Sequence, residues 1–295
     1  MTAPTRSITQ SRDHLLDVLP FAMPWKKGVA VLLVAYFDAS ARESDMFSVA
    51  GVAFEADKAQ AASERWTELW GETRCHMTDL HAGRSRPGNP FTGWSNEKAS
   101  DYLKRSVEII NDHVSYVVAT SCRVGDIASL KLEAVPDAER YLDAFKSAYP
   151  LCLQLSMSAL VGLMDKAEDP SNIAYFIERG DIDQGAAVRF LDSSTSQKAS
   201  ISDPAIKDHY RHDSHVFIRK ESSRLFEMVD IVAWEWAKHM DRLIEGKGMR
   251  PSLRAILGKG LSGETDFKSP TRRAFHNAGP MFAQYVSDVR HHILA

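Results

Sequence analysis

The sequence predicts an α/β fold with a mixed sheet, and three observations carry that expectation. Short apolar runs at residues 29–37, 46–54 and 172–177 read as buried strands, and stretches of helical periodicity lie among them. The first two runs are separated only by the polar residues 39–45, a spacing that calls for an antiparallel hairpin. Later strands are separated by helical stretches, as crossovers between parallel strands require.

Composition agrees with an ordinary globular chain. Of 295 residues, 44% are hydrophobic and 25% charged, which excludes a disordered tail, a collagen-like chain and a multi-span membrane protein. Lys plus Arg number 36 against 39 Asp plus Glu, a formal net charge of −3, so any nucleic-acid partner needs a local basic patch. Cys75, Cys122 and Cys152 lie far apart with no CxxC pair, which reads as core thiols in a reducing cytoplasm. Lys26-Lys27 before the run 29–37 imitates a secretory signal. However, Asp13 and Asp17 precede it, Asp38 ends it, and a bilayer needs about 20 apolar residues. No membrane association is therefore expected. No heptad repeat or long exposed apolar run assigns an oligomeric state.

Three segments are expected: an N-terminal extension at 1–28, an α/β domain at 29–245, and a basic, Gly-rich segment with a C-terminal helix at 246–295. In the extension, Leu15, Leu16, Val18 and Leu19 make a short docking helix closed by Pro20 and Pro24. After the hairpin, 57–71 is helical, with Ala61, Trp66, Leu69 and Trp70 on one face. Residues 75–94 are irregular, and Ser95-Asn96-Glu97 then opens a helix reaching Asn111 with Leu103, Val107 and Ile110 inward. A strand follows at 114–124. Residues 137–166 are helical with an interruption at Pro150. Beyond the strand at 172–177 come a short helix at 184–191, a polar loop at 192–198 and a short strand at 215–218. An apolar helix at 225–244 and a final helix at 274–293 complete the order.

Three acids occupy unusual places. Asp38 follows nine apolar residues, Glu178 follows the run 172–177, and Asp230 lies between Val229 and Ile231 inside an apolar helix. Ligands of open α/β sheets gather at strand carboxyl ends, where two such acids can meet and a helical acid can point back at them. Clustered carboxylates repel unless a cation lies among them, and oxygen-only ligands favour Mg²⁺ or Mn²⁺. Each acid also has a plainer reading. An acid after a strand is often a turn residue, and Glu227, three residues before Asp230, puts both on one stripe that can face solvent. The three together point to a metal site.

Five short motifs occur in order: Tyr36-Phe37-Asp38-Ala39-Ser40, Phe47-Ser48-Val49-Ala50-Gly51-Val52, His76-Met77-Thr78-Asp79-Leu80, Phe176-Ile177-Glu178, and Met228-Val229-Asp230-Ile231-Val232-Ala233-Trp234. In this order the chain resembles a bacterial family called domain of unknown function 3800, with a ribonuclease-H-like fold. The resemblance implies that Asp38, Glu178 and Asp230 converge as metal ligands, with His76 and Asp79 as further catalytic candidates. It also implies a divalent-metal-dependent nuclease or phosphodiesterase, in which one ion activates water and another stabilises the leaving oxygen. His76 would shuttle a proton, although a structural hydrogen-bonding role suits it as well. Where the family carries Glu and then Ser-Gly after its first Asp, this chain has Asp38-Ala39-Ser40-Ala41. That departure motivates an alternative: a catalytically weak member that binds nucleic acid or a protein partner.

A second constellation competes. His209, His212 and His215 lie three apart with Asp208 and Asp213 among them, a set suited to zinc or iron and hence to a His-ligated metal hydrolase. The plainer reading is a polar loop rich in His. Basic residues offer a patch for a phosphate backbone: Arg84 and Arg86 in a Gly/Pro loop, and Arg272 and Arg273 in the basic segment that holds Lys247, Arg250 and Arg254. Such a run is as readily a solvated surface. No GxSxG, GxxxxGK[ST] or GxGxxG occurs, and the tryptophans at 66, 70, 234 and 236 fall at helical positions, where core packing explains Trp66, Trp70 and Trp234 or Trp236 better than stacking on bases.

Overall fold

The structure is a computed structural model that describes residues 32–41, 46–81, 83–125, 147–180, 184–191, 204–257 and 272–277. Its centre is a mixed sheet of strands β1 (Leu32–Ala41), β2 (Met46–Glu55), β3 (Tyr116–Arg123), β4 (Asn172–Glu178) and β5 (His212–Ile218), in the order β5-β4-β1-β2-β3. A sixth strand, β6 (Arg272–Asn277), extends the sheet beside β3. The expected hairpin is present, with Tyr36 opposite Val52 and Asp38 opposite Ala50. β2 runs antiparallel to both β1 and β3, whereas β4 runs parallel to β1 and β5 parallel to β4.

Alternation along the strands divides the core into two layers. Val34 and Tyr36 of β1, with Val52, Phe54 and Phe176, face α1 (Ala56–Trp70), α3 (Asn96–His113) and α7 (Leu225–Ile244). Leu33, Ala35 and Phe37, with Tyr175 and Ile177, face α4 (Ala148–Lys166) and α5 (Gln184–Leu191). Both sheet faces are therefore covered, which explains why β1 and β4 read as unbroken apolar runs. Gly51 is required by packing within the sheet: a Cβ there would lie 2.5 Å from the Phe37 ring.

The helices start and stop for local reasons. Ser95 caps α3 by accepting the Lys98 N–H, and Leu103, Val107 and Ile110 are buried as expected. In α1 the inward face is Ala59, Ala62, Trp66, Leu69 and Trp70, while Ala61 is exposed. Pro150 does not interrupt α4. It lies in the first turn of α4, where a missing N–H costs nothing, and the expected residues 137–146 fall outside the described ones. Within the stretch expected to be irregular, Met77–His81 forms the short helix α2.

The final helix expected from Ala274 is corrected in its first four residues. Residues 274–277 belong to β6, because the backbone edge of β3 accepts them as a parallel partner, Ala119 opposite Phe275. The remaining residues of that helix, the helix of the N-terminal extension and the loop at 192–198 fall outside the described residues. The helices α6 (Pro204–His209) and α8 (Pro251–Leu257) complete the fold, α8 seating Leu253 and Ile256 in the core. Cys75, Cys122 and Cys152 are buried free thiols. Among the described residues no helix is long and apolar enough to cross a membrane.

Candidate functional site

Asp38 does not end its strand. β1 continues to Ala41 against β2, while its pairing with β4 stops at Phe37 opposite Ile177. Asp38 is thus the first β1 residue beyond the parallel ladder, and Glu178 is the next residue of β4 on the same side. The two carboxylates emerge where adjacent parallel strands part, the place where α/β sheets bind ligands. Beneath them, Tyr36 stacks on Phe176 at 4.8 Å and meets the edge of Phe226 at 5.2 Å, which locks β1, β4 and α7 together.

The third acid arrives from α7. The polar stripe considered for Glu227 and Asp230 faces the protein interior, not solvent, because residues 73–77 cover it. Glu227 Oε2 accepts the Trp66 Nε1–H at 2.8 Å and the Cys75 N–H at 2.9 Å, and its Oε1 lies 3.0 Å from Arg74 and 3.2 Å from Arg224. One turn later, Asp230 Oδ2 accepts the Met77 N–H at 2.7 Å. Glu227 therefore fastens the chain whose next residues orient Asp230. Burial pushes the Cys75 thiol well up, and Glu227 and Asp230 push it further. A neutral, buried thiol is a poor nucleophile, which argues against a cysteine hydrolase.

The acids converge on a residue that the sequence reading missed. Lys220 Nζ lies 2.6 Å from Asp38 Oδ2, 2.7 Å from Asp230 Oδ1 and 3.9 Å from Glu178 Oε2. Lys220 starts a 3₁₀ turn, Lys220–Ser222, between β5 and α7. Burial alone would push its pKa down, but Asp38, Asp230 and Glu178 outweigh burial and hold it far above the usual lysine value. The Asp38 side chain is 0% exposed, yet its second oxygen, Oδ1, has no hydrogen-bond partner. Three carboxylates against one ammonium leave two formal negative charges in the cluster. Among the described residues, no group of three or more His, Cys, Asp or Glu side chains is spaced to hold a metal as it stands.

The other candidates are placed less centrally. His76 adjoins Met77 in the chain, and its Nδ1 is buried without a partner. Asp79 lies in α2, where its carbonyl accepts from Asn89. Arg84 is occupied in tying its loop to the start of α3, donating to the carbonyls of Trp94 and Ser95. Arg86 is exposed. Arg272 and Arg273 begin β6, opposite Tyr116 and Val117. Ala39 belongs to the other face of the sheet and packs against the layer containing α4. A carboxylate at that position would point away from Asp38.

The histidine constellation separates. Asp208 and His209 are exposed at the end of α6. A bulge at Asp213, where the register with β4 shifts, brings His212 and His215 to one side of β5, with Nε2 and Nδ1 2.9 Å apart. Burial, then His215 and Lys207, lowers the His212 pKa to about 4. Between that value and the ordinary value near 6.5, the unfolded chain binds a proton that the folded chain refuses. Stability is therefore expected to fall as pH drops from about 6.5 towards 4. The loss is on the order of 1 kcal/mol after allowance for solvent screening. Urea midpoints measured across that window should fall in the wild type and stay flatter in His212→Gln.

No family model matches the chain, and no curated protein matches it.

Proposed function

We propose that the protein is a divalent-cation-dependent phosphodiesterase, most simply a nuclease, on a ribonuclease-H-like core. The observation that carries this reading is the convergence of Asp38, Glu178 and Asp230 from two strands and a helix, with Asp38 Oδ1 buried and unpartnered. The fold supports it too: a central first strand, an antiparallel hairpin on one side and parallel strands on the other agree with the fold that the family resemblance implies.

The residues present fit Mg²⁺ or Mn²⁺. All donors are hard oxygens, the cluster carries excess negative charge, and one buried carboxylate oxygen lacks a partner. Asp38, Glu178 and Asp230 would hold the ion, which when bound activates a water nucleophile and stabilises the leaving oxygen. Asp38 contributes rigidity, because the strand beneath it is packed on both faces. Asp230 is aimed by the Met77 N–H, and His76, tethered beside that peptide, carries the proton. For a nucleic-acid backbone the exposed Arg86 is the basic candidate in the loop before α3, since Arg84 is engaged with carbonyls.

The test is a calorimetric titration of Mn²⁺ into metal-stripped wild type and Asp38→Asn, with cleavage of single- and double-stranded RNA and DNA followed in parallel. Wild type is expected to bind and to cleave. Asp38→Asn should lose at least the 10–100-fold in metal affinity that even supporting residues contribute, and its cleavage with it. Undiminished binding in Asp38→Asn would move the ion elsewhere. Nucleic-acid binding without cleavage in the wild type would favour the weak-member alternative.

A further inference from the structure

We propose that Lys220 is the resident counter-ion of the carboxylate cluster and that a divalent cation enters by displacing it. The metal-free site is thereby held shut by one of the chain's own side chains. The inference rests on the divalent-cation reading and adds to it how the site is controlled.

The geometry argues for displacement over joint occupancy. The Lys220 ammonium lies at the point reached by all three carboxylates, 2.6 Å, 2.7 Å and 3.9 Å from their oxygens. A divalent cation held by Asp38 and Asp230 would need bonds of about 2.0–2.6 Å. That leaves no room for the ammonium 2.6 Å and 2.7 Å from those oxygens, and Glu178 would have to close in from 3.9 Å. Two cations so close together repel strongly in a site with little water. Exchanging one positive charge for two lowers the cluster's formal charge from −2 to −1 and offers Asp38 Oδ1 the partner it lacks.

The surroundings permit the exchange without refolding. The backbone carrying Lys220 is pinned: Arg74 Nη2 donates to the Glu221 carbonyl at 3.0 Å, and Arg224 Nη2 donates to the Thr73 carbonyl at 3.0 Å. The side chain itself is a flexible stem of four methylenes that ends in a point charge. The Lys220 side chain is 16% exposed, so part of it already reaches the surface. Arginine in its place would behave differently, because a planar fork that engages two carboxylates is harder to dislodge than a point charge.

The experiment is a titration of Mn²⁺ alone into the metal-stripped full chain, comparing wild type, Lys220→Met, Lys220→Arg and Asp38→Asn. Lys220→Met is expected to bind about tenfold tighter or better, and Lys220→Arg about tenfold weaker or worse. Asp38→Asn should bind least, which locates the ion at this cluster. If the wild type binds Mn²⁺ and folded Lys220→Met binds it equally or less well, displacement is overturned while the metal reading stands. If folded wild type and folded Lys220→Met both fail to bind, both readings fall together. Should Lys220→Met fold only when Mn²⁺ is added, as judged by circular dichroism, that recovery supports displacement. Should it fold under neither condition, Lys220→Arg decides, and an affinity equal to that of the wild type overturns the proposal.

Discussion

Replacing Glu227 by alanine is expected to lower folding stability by about 3–5 kcal/mol, the usual result of breaking a buried ion pair from one side. The carboxylate is buried and fully engaged: two N–H donors, from Trp66 and Cys75, share one oxygen, and two guanidinium groups, from Arg74 and Arg224, face the other. Truncation leaves both buried N–H groups unsatisfied and brings the two arginines together without their anion. Urea unfolding measures the loss directly, and a change below about 1 kcal/mol would mean that the network is slack. The effect should also reach the site. Cys75 is two residues from Met77, whose N–H aims Asp230, so the surviving folded protein should bind Mn²⁺ more weakly than wild type. Glu227→Gln retains one acceptor and should recover part of both losses.

Phe91→Ala is expected to cost a similar amount, about 3–5 kcal/mol for a fully buried phenylalanine. Phe91 sits edge-on to Trp70 at 5.9 Å and to Trp94 at 5.2 Å, while those two indoles stack with each other at 6.2 Å. This aromatic group fastens the stretch between α2 and α3, which is otherwise held by turn bonds such as Arg86 N–H to the Gly83 carbonyl and by the side-chain bonds of Arg84 and Asn89. The local readout is limited proteolysis. Wild type should resist cleavage between residues 83 and 95, and Phe91→Ala should be cut there first. Equal resistance would show that the hydrogen bonds hold the segment without the aromatic group.

Much of the fold was legible because apolar period and length fix an element's type. The helix at Leu225–Ile244 and the hairpin follow from those signals alone. The convergence of Asp38, Glu178 and Asp230 was legible for a related reason: an acid interrupting an apolar run is conspicuous, and strand ends are where such acids meet. What escaped was set by distant partners. Lys220 lies in the polar run Arg219-Lys220-Glu221-Ser222-Ser223, which has no periodicity, and its nearest carboxylate partner along the chain is ten residues away. A physical signal was still present. Three converging carboxylates demand a cation, and the short connections at the strand carboxyl ends are the places to look for one. Glu227 was misplaced because an i, i+3 acid pair looks the same whether water or another part of the chain covers it. β6 escaped for a similar reason, since an open sheet edge recruits a partner whatever the local propensity of the recruited segment.

The separation of Asp38 from Lys220 has a consequence for the growing chain. Their bond spans 182 residues. At about 5–20 residues per second, the ribosome needs roughly 10–40 s to synthesise that interval. Throughout it, a nascent β1–β2 hairpin carries a carboxylate in its most apolar strand with neither lysine nor helix to receive it. The hairpin therefore cannot gain its full stability early, and the surroundings of Asp38 are completed only when β5, the turn that follows it and α7 emerge. Asp38 thus makes the last third of the chain a condition for stable burial of the first strand, and an amino-terminal fragment is left without a finished core.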